Sequence, residues 1–239
     1  MNQKQKKIFI WVGLTALTFA FFSFLSGFWY ALTLMLMIGL HECGHLLAAK
    51  RVGVKTAGFY FIPLGGVALI KENPSDQWKK FIIAYGGPLV GLILCVLAVG
   101  VWLSCRFNIF NITPETQHLI NNLSLNAIFI WSVINIFNLL PIYPFDGGRL
   151  LAAIHINRKN GFEKYLLYIS WIFLGVAFIF TGSVIIIFIG IMFYKMIGRL
   201  EPNYFVHKPF NGKNIFFGWL LYLGLIIAFI ACLLVTDYI

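Results

Sequence analysis

The stretch that decides the fold runs from residue 29 to residue 49 and reads WYALTLMLMIGLHECGHLLAA. It is long enough for one helix that crosses a bilayer, because a spanning helix needs roughly 20 apolar residues. Two histidines and a glutamate nevertheless interrupt it. Polar and ionisable groups are costly within the hydrocarbon, so His41, Glu42 and His45 need a partner or a wet cavity.

The whole chain is strongly apolar. Of its 239 residues, 60% are hydrophobic and 11% are charged, whereas ordinary soluble domains are close to half apolar and a quarter charged. This composition excludes a disordered chain, a coiled coil and a soluble enzyme. It indicates an all-α polytopic membrane protein.

Further apolar runs predict six to seven transmembrane helices. The predicted spans lie at about 8–27, 29–49, 80–104, 123–140, 165–181, 183–198 and 215–235. Residues 57–70 are too few to span and contain two β-prone runs around a Pro/Gly turn. We therefore predict a short membrane-associated β-hairpin after the second helix.

The basic residues predict how the chain lies in the membrane. With the N-terminus in the cytosol, all of the 18 lysines and arginines except Arg106 fall on or next to the cytosolic side. Cytosolic loops carry an excess of lysine and arginine, so this arrangement accounts for the net charge of +10. We therefore expect a multi-pass protein of the cell membrane that has no nucleic-acid partner.

His41-Glu42-Cys43-Gly44-His45 forms an H-E-x-x-H motif on the second predicted helix. Residues four apart share a helical face, so both histidines can bind one metal ion. Glu42 projects about 100° away from His41, which suits it to act on a water at the metal rather than to bind the metal. The same short pattern also arises by chance in many proteins, but its position within a span favours a metal site.

A third metal ligand is needed, because catalytic zinc sites usually have three protein donors and one open position. Of the eight acidic residues, six lie in loops or at chain ends, and Glu42 and Asp146 are the exceptions. Asp146 follows the fourth span in a segment broken by two prolines and two glycines. We predict that it lies at the depth of His41 and His45; the alternative is a turn residue that caps the next helix.

These motifs, in this order, resemble the site-2 protease family of intramembrane zinc metalloproteases. The resemblance rests on His41 to His45 and on the later Asn138-Leu139-Leu140-Pro141 and Asp146-Gly147-Gly148. Gly86-Gly87-Pro88 and Pro63-Leu64-Gly65-Gly66 match two further elements of that family, so the likeness covers about residues 36–155. It implies one Zn²⁺ per chain, held by His41, His45 and Asp146, with Glu42 as the general base.

We predict that the chain has three units. These are a first transmembrane helix at 1–28, a catalytic membrane core at 29–155, and C-terminal transmembrane helices at 156–239. The core contains two candidate substrate-binding elements. The hairpin with Gly65 and Gly66 either pairs with an extended substrate or serves as a structural re-entrant loop. Asn138 either stabilises an oxyanion or substrate backbone, or bonds to a neighbouring helix.

The sequence therefore favours a zinc-dependent intramembrane endopeptidase that cuts transmembrane segments of other proteins. Two alternatives stay open. A multi-pass metal or proton transporter would also place His, Glu and Asp within the membrane. A catalytically silent binder of transmembrane helices would keep the fold without the reaction.

Overall fold

The structure is a computed structural model that describes residues 2–62, 65–71, 74, 76–109, 112–142, 145–155, 168–172, 175, 176, 179 and 210–237. Six helices have defined bounds: α1 (Gln3–Ser26), α2 (Phe28–Arg51), α3 (Gln77–Arg106), α4 (Pro114–Asn138), α5 (Asp146–His155) and α6 (Gly212–Leu234). Strands β1 (Thr56–Ile62) and β2 (Gly65–Ile70) lie between α2 and α3, and a 3₁₀ turn (Val235–Asp237) follows α6.

Five of these helices are long and apolar enough to cross a membrane. They are α1 from residue 8 onward, α2, α3, α4 and α6. With the hairpin between α2 and α3, they confirm the predicted all-α integral membrane protein. The predicted span at 183–198 and most of the one at 165–181 lie outside the described residues.

Helix α4 begins at Pro114, well before the predicted start near residue 123. The Thr113 side chain accepts a hydrogen bond from the Thr116 N–H and so caps the helix. Proline at the first helical position and Glu115 in the first turn add to this start signal. Capping depends on local side chains rather than on hydropathy, and for that reason the apolar stretch alone placed the start too late.

Helices α2 and α3 cross with their backbones in contact. A β-carbon built at Gly86 would lie 2.6 Å from the Ala48 β-carbon and 2.6 Å from the Gly44 carbonyl oxygen. Small residues permit such an approach between membrane helices. Gly86 and Gly44 therefore allow close packing of the two helices, which brings α3 against the histidine-bearing face of α2.

The two strands form an antiparallel hairpin beside α2. Phe59 pairs with Ala68 and Phe61 pairs with Gly66. The indole N–H of Trp11, on α1, donates a hydrogen bond to the Phe59 carbonyl at 3.1 Å. Helix α1 thus packs along β1, while β2 packs on α2.

Helix α6 closes the core on the side of α4 and α5. Its buried residues, among them Leu225 and Phe229, join one hydrophobic cluster with Ile128 of α4 and Leu150 of α5. Gly218 lets α6 approach α5 closely, since a β-carbon there would lie 2.8 Å from Ile154 Cγ1. The C-terminal helix is therefore part of the same packed unit as the loop that leads to Asp146.

Candidate metal centre

His41 and His45 lie one turn apart on the buried face of α2, where they are 7% and 3% exposed. Their Nε2 atoms are 3.2 Å apart. The spacing of four residues puts both rings on one side of the helix, as their sequence positions require. Both nitrogens therefore point to a single location.

Asp146 reaches the same location from a distant part of the chain. Its Oδ2 atom lies 2.8 Å from His41 Nε2 and 3.3 Å from His45 Nε2. It is the first residue of α5 and is buried. Asp146 thus stands at the start of a helix, as the capping alternative supposed, while its side chain meets the two histidines.

A tight turn between α4 and α5 permits this approach. The α-carbon of Gly147 lies directly against the Leu139 and Leu140 carbonyls, so that a β-carbon there would overlap both oxygens. Glycine is the residue that allows such close backbone contact. The glycine after Asp146 therefore has a packing role that the sequence indicated only as a turn.

The three donor atoms fit a zinc ion. Their separations are 2.8, 3.2 and 3.3 Å. A tetrahedral zinc site with bonds of about 2.0–2.2 Å has donor atoms about 3.3–3.6 Å apart, so the separations of 3.2 and 3.3 Å are close to this geometry and the 2.8 Å separation needs a small shift. Two imidazoles and a carboxylate are also ligands that zinc uses in proteins, so both the chemistry and the spacing of this donor set are suitable.

The second ring nitrogen of His45 is held by the backbone of α3. Nδ1 lies 2.7 Å from the Ile83 carbonyl oxygen, to which its N–H donates. This contact fixes the ring so that Nε2 faces Asp146 and His41. Metal-binding histidines commonly use such a second hydrogen bond to fix ring orientation. Nothing in the sequence pointed to Ile83, because a backbone carbonyl leaves no side-chain signal.

The Asp146 carboxyl is held in its ionised form. Burial by itself raises the pKa of this carboxyl, but the charge of His45 and hydrogen bonds from His41 and His45 outweigh burial. Together they hold the pKa well below its usual range. Arg149 adds a more distant positive charge, with Nη1 3.9 Å from Asp146 Oδ1. An ionised carboxylate is the form that binds a metal.

Glu42 lies beside the donor triangle. It is 8% exposed, and a ligand atom from each of His41, Glu42 and His45 falls within 4.8 Å of the others. Its side chain packs against β2, where a β-carbon at Gly66 would lie 2.5 Å from Glu42 Cγ. Glu42 is thus positioned between the candidate metal ligands and the hairpin.

The candidate substrate-binding residues have different surroundings. The Asn138 side-chain nitrogen lies 3.3 Å from His41 Nε2, so this amide is at the candidate metal centre. Gly66 lies over Glu42, whereas a β-carbon at Gly65 would meet no atom within 4 Å. The structure therefore brings Asn138 and Gly66 to the centre and leaves Gly65 beside open space.

Gly87 of α3 is a further residue at the centre. A β-carbon built on it would lie 2.6 Å from His41 Nε2 and closer still to His45 Nε2. From the sequence, the Gly86-Gly87-Pro88 segment was only a match to an element of the site-2 protease family. The signal that could have located it is the pair of glycines within a span, since glycine marks places where atoms approach a backbone closely.

The sequence is similar to known zinc metalloproteases. Residues 29–126 match the sequence profile described as peptidase family M50. The zinc metalloprotease MJ0392 of Methanocaldococcus jannaschii is 36% identical over 141 residues, which are 58% of this chain and 38% of that protein. Stage IV sporulation protein FB of Bacillus subtilis is 25% identical over 200 residues, which are 77% of this chain and 64% of that protein.

Proposed function

We propose that this chain, which belongs to peptidase family M50 through residues 29–126, is a zinc-dependent intramembrane endopeptidase. It hydrolyses peptide bonds within or near transmembrane segments of other membrane proteins. The observation that carries this proposal is the convergence of His41, His45 and Asp146 beside Glu42, at a buried point between helices that can span a membrane.

His41, His45 and Asp146 would hold one zinc ion through Nε2, Nε2 and Oδ2. Bound zinc supplies a Lewis acid and lowers the pKa of its water to about 7. Glu42 accepts a proton from the attacking water and returns it to the leaving amine, as a general base and then a general acid. Its burial between α2 and β2 keeps the carboxylate next to the reacting atoms.

Asn138 is suited to stabilise the oxyanion that develops on the substrate carbonyl. Its amide nitrogen, 3.3 Å from His41 Nε2, stands at the edge of the donor triangle. A positioned amide donor of this kind acts where negative charge appears in the transition state. This role accounts for an amide directed toward the metal ligands at the end of α4.

The hairpin has a strand edge that is suited to bind an extended substrate. In an antiparallel hairpin, two opposite residues either both direct their backbone N–H and C=O groups to each other or both direct them away from the partner strand. The Phe59 carbonyl accepts a hydrogen bond from Trp11 of α1 and therefore points away from β2. Because Phe59 pairs with Ala68, the backbone N–H and C=O of Ala68 point outward from the other edge of the hairpin, on β2. With the period of two, Gly66 does the same beside Glu42. The outer edge of β2 would therefore align an unwound substrate strand with the base.

A helical substrate must unwind locally before it is cut, because its carbonyls are bonded along the helix. Pairing with β2 would replace some of those lost hydrogen bonds. We propose that the protein lies in the cell membrane with its N-terminus and candidate metal centre toward the cytosolic side, because the distribution of basic residues favours that orientation.

The transporter alternative has weaker support. Among the residues that the structure describes, the buried histidines and acidic side chains are His41, Glu42, His45 and Asp146, which form one cluster. A proton or ion path across a membrane requires polar groups at several depths. A single cluster suits one reaction centre instead.

The test is coexpression with tagged single-pass membrane proteins, with cleavage products detected by immunoblot. Glu42→Gln should retain about one zinc per chain by elemental analysis while cleavage falls by about 10²–10⁴-fold, the usual effect of losing a general base. Glu115→Gln, an exposed carboxylate at the start of α4, is the matched control and should cleave normally. A fully active Glu42→Gln enzyme would contradict the proposal. A wild type that binds zinc but cleaves no membrane protein would favour the catalytically silent binder.

A further inference from the structure

We infer that Tyr222, on the C-terminal helix α6, is a positioning residue for the metal centre; this inference rests on the proposed function. Its hydroxyl donates a hydrogen bond to the Leu139 carbonyl, with the two oxygens 2.6 Å apart. Tyr222 and Leu139 are 4% and 1% exposed, so this hydrogen bond is buried.

The Leu139 carbonyl lies close to the backbone that carries two residues of the site, Asn138 and Asp146. Leu139 directly follows Asn138, whose amide meets His41. The same carbonyl lies against the α-carbon of Gly147, the residue after Asp146. The position of this one backbone oxygen therefore affects the positions of both Asn138 and Asp146.

This carbonyl needs a donor from outside its own helix. Leu139 is the C-cap of α4, and the carbonyls at a helix end have no N–H partner within the helix. Pro141, two residues later, has no N–H to donate. An unpaired backbone carbonyl is costly in an apolar surrounding, and the Tyr222 hydroxyl satisfies this one.

Tyr222 can act as a fixed anchor because α6 is itself held in place. Gly218 packs on Ile154 of α5, the helix that begins at Asp146. Phe229, two turns further along α6, is completely buried. The hydroxyl thus connects a rigid helix to the α4–α5 turn, so that Leu139 and Gly147 keep their spacing.

The experiment compares Tyr222→Phe with the wild type as full-length proteins purified in detergent. Zinc affinity is measured by competition with a chelator, and ligand geometry by the visible spectrum of the Co²⁺-loaded protein. Loss of a residue that orients metal ligands typically weakens metal affinity by about 10–100-fold. We expect a loss in that range and altered cobalt bands, because Asp146 is no longer held at its present distance from the histidines.

Two controls separate positioning from general packing. Tyr30→Phe removes the hydroxyl of a tyrosine that is 51% exposed on α2 and should leave zinc affinity unchanged. Phe229→Leu disturbs the packing of α6 without touching the Leu139 carbonyl. It should lower thermal stability but leave the cobalt spectrum as in the wild type.

The inference is overturned if Tyr222→Phe keeps wild-type zinc affinity and cobalt bands. It is also overturned if Phe229→Leu weakens zinc binding equally at a matched loss of thermal stability. Failure of the proposed function is a separate result: a wild type that binds zinc but cleaves nothing would reject the protease activity. The affinity comparison would still decide the role of Tyr222.

Discussion

The α-carbon of Gly87 stands against the imidazole of His41, so that a β-carbon at position 87 would lie 2.6 Å from His41 Nε2. That nitrogen also faces Asp146 at 2.8 Å. The backbone of α3 therefore lines one side of the candidate metal centre, and the absence of a side chain at position 87 leaves room for the candidate metal ligands.

Gly87→Ala should disrupt the metal centre. The added methyl group would force His41 and His45 away from their present positions, so we expect zinc affinity to fall by about 100-fold, the upper range for changes that disturb ligand orientation. Chelator competition measures this loss. Gly100→Ala is the control on the same helix, since its β-carbon would meet no atom within 4 Å. It should be neutral or stabilise by about 0.5–1 kcal/mol. Equal zinc affinity in both variants would contradict this placement of Gly87.

Gly66→Ala should impair catalysis without removing zinc. A β-carbon there would lie 2.5 Å from Glu42 Cγ and 2.8 Å from Ile38 Cγ2, so either the base or the strand must move. Displacement of a reacting group by about 1 Å can cost about 100-fold in rate, and we expect a loss of that order in kcat.

The control for this variant is Val67→Ala, because the neighbouring side chain leaves the opposite face of the strand. Cleavage of a tagged substrate and zinc content are measured on both proteins. If Gly66→Ala cleaved as fast as Val67→Ala, the packing of β2 on Glu42 would have no role in the reaction.

Asn138→Ala should lower kcat while leaving KM and zinc content close to those of the wild type. Loss of one oxyanion donor typically costs about 10²–10³-fold in kcat. Asn126→Ala removes an exposed amide from the same helix and should have no effect. If Asn138→Ala lost zinc but kept full activity per bound zinc, its amide would be a structural group rather than a catalytic one.

Substrate should contact β2 rather than β1. We expect a photo-crosslinking amino acid at Ala68 to capture a substrate in the Glu42→Gln background, in which the substrate remains uncut. The same amino acid at Ala57, on the strand along which α1 packs, should capture little. Immunoblots of the crosslinked product provide the measurement. Capture from Ala57 alone would show that the substrate uses the other edge.

Much of the fold was predictable because it depends on local features of the chain. Helices that cross a membrane are recognised by apolar length, and the hairpin by two β-prone runs about a turn. The start of α4 was misplaced because a cap at Thr113, rather than hydropathy, sets it. The fifth and sixth predicted spans stay predictions.

The candidate site was likewise predictable only where it depends on local features of the chain. Sequence alone determined that His41 and His45 share a helical face, since their spacing fixes it, and composition singled out Asp146 as an unusual acidic residue. Tertiary structure decided the rest: the contact between His45 and the Ile83 carbonyl, the close approach of Gly87, and the hydrogen bond from Tyr222 to Leu139. These contacts join residues far apart in the chain through backbone atoms. They depend on how α2, α3 and α6 pack against one another, which no local pattern of side chains specifies.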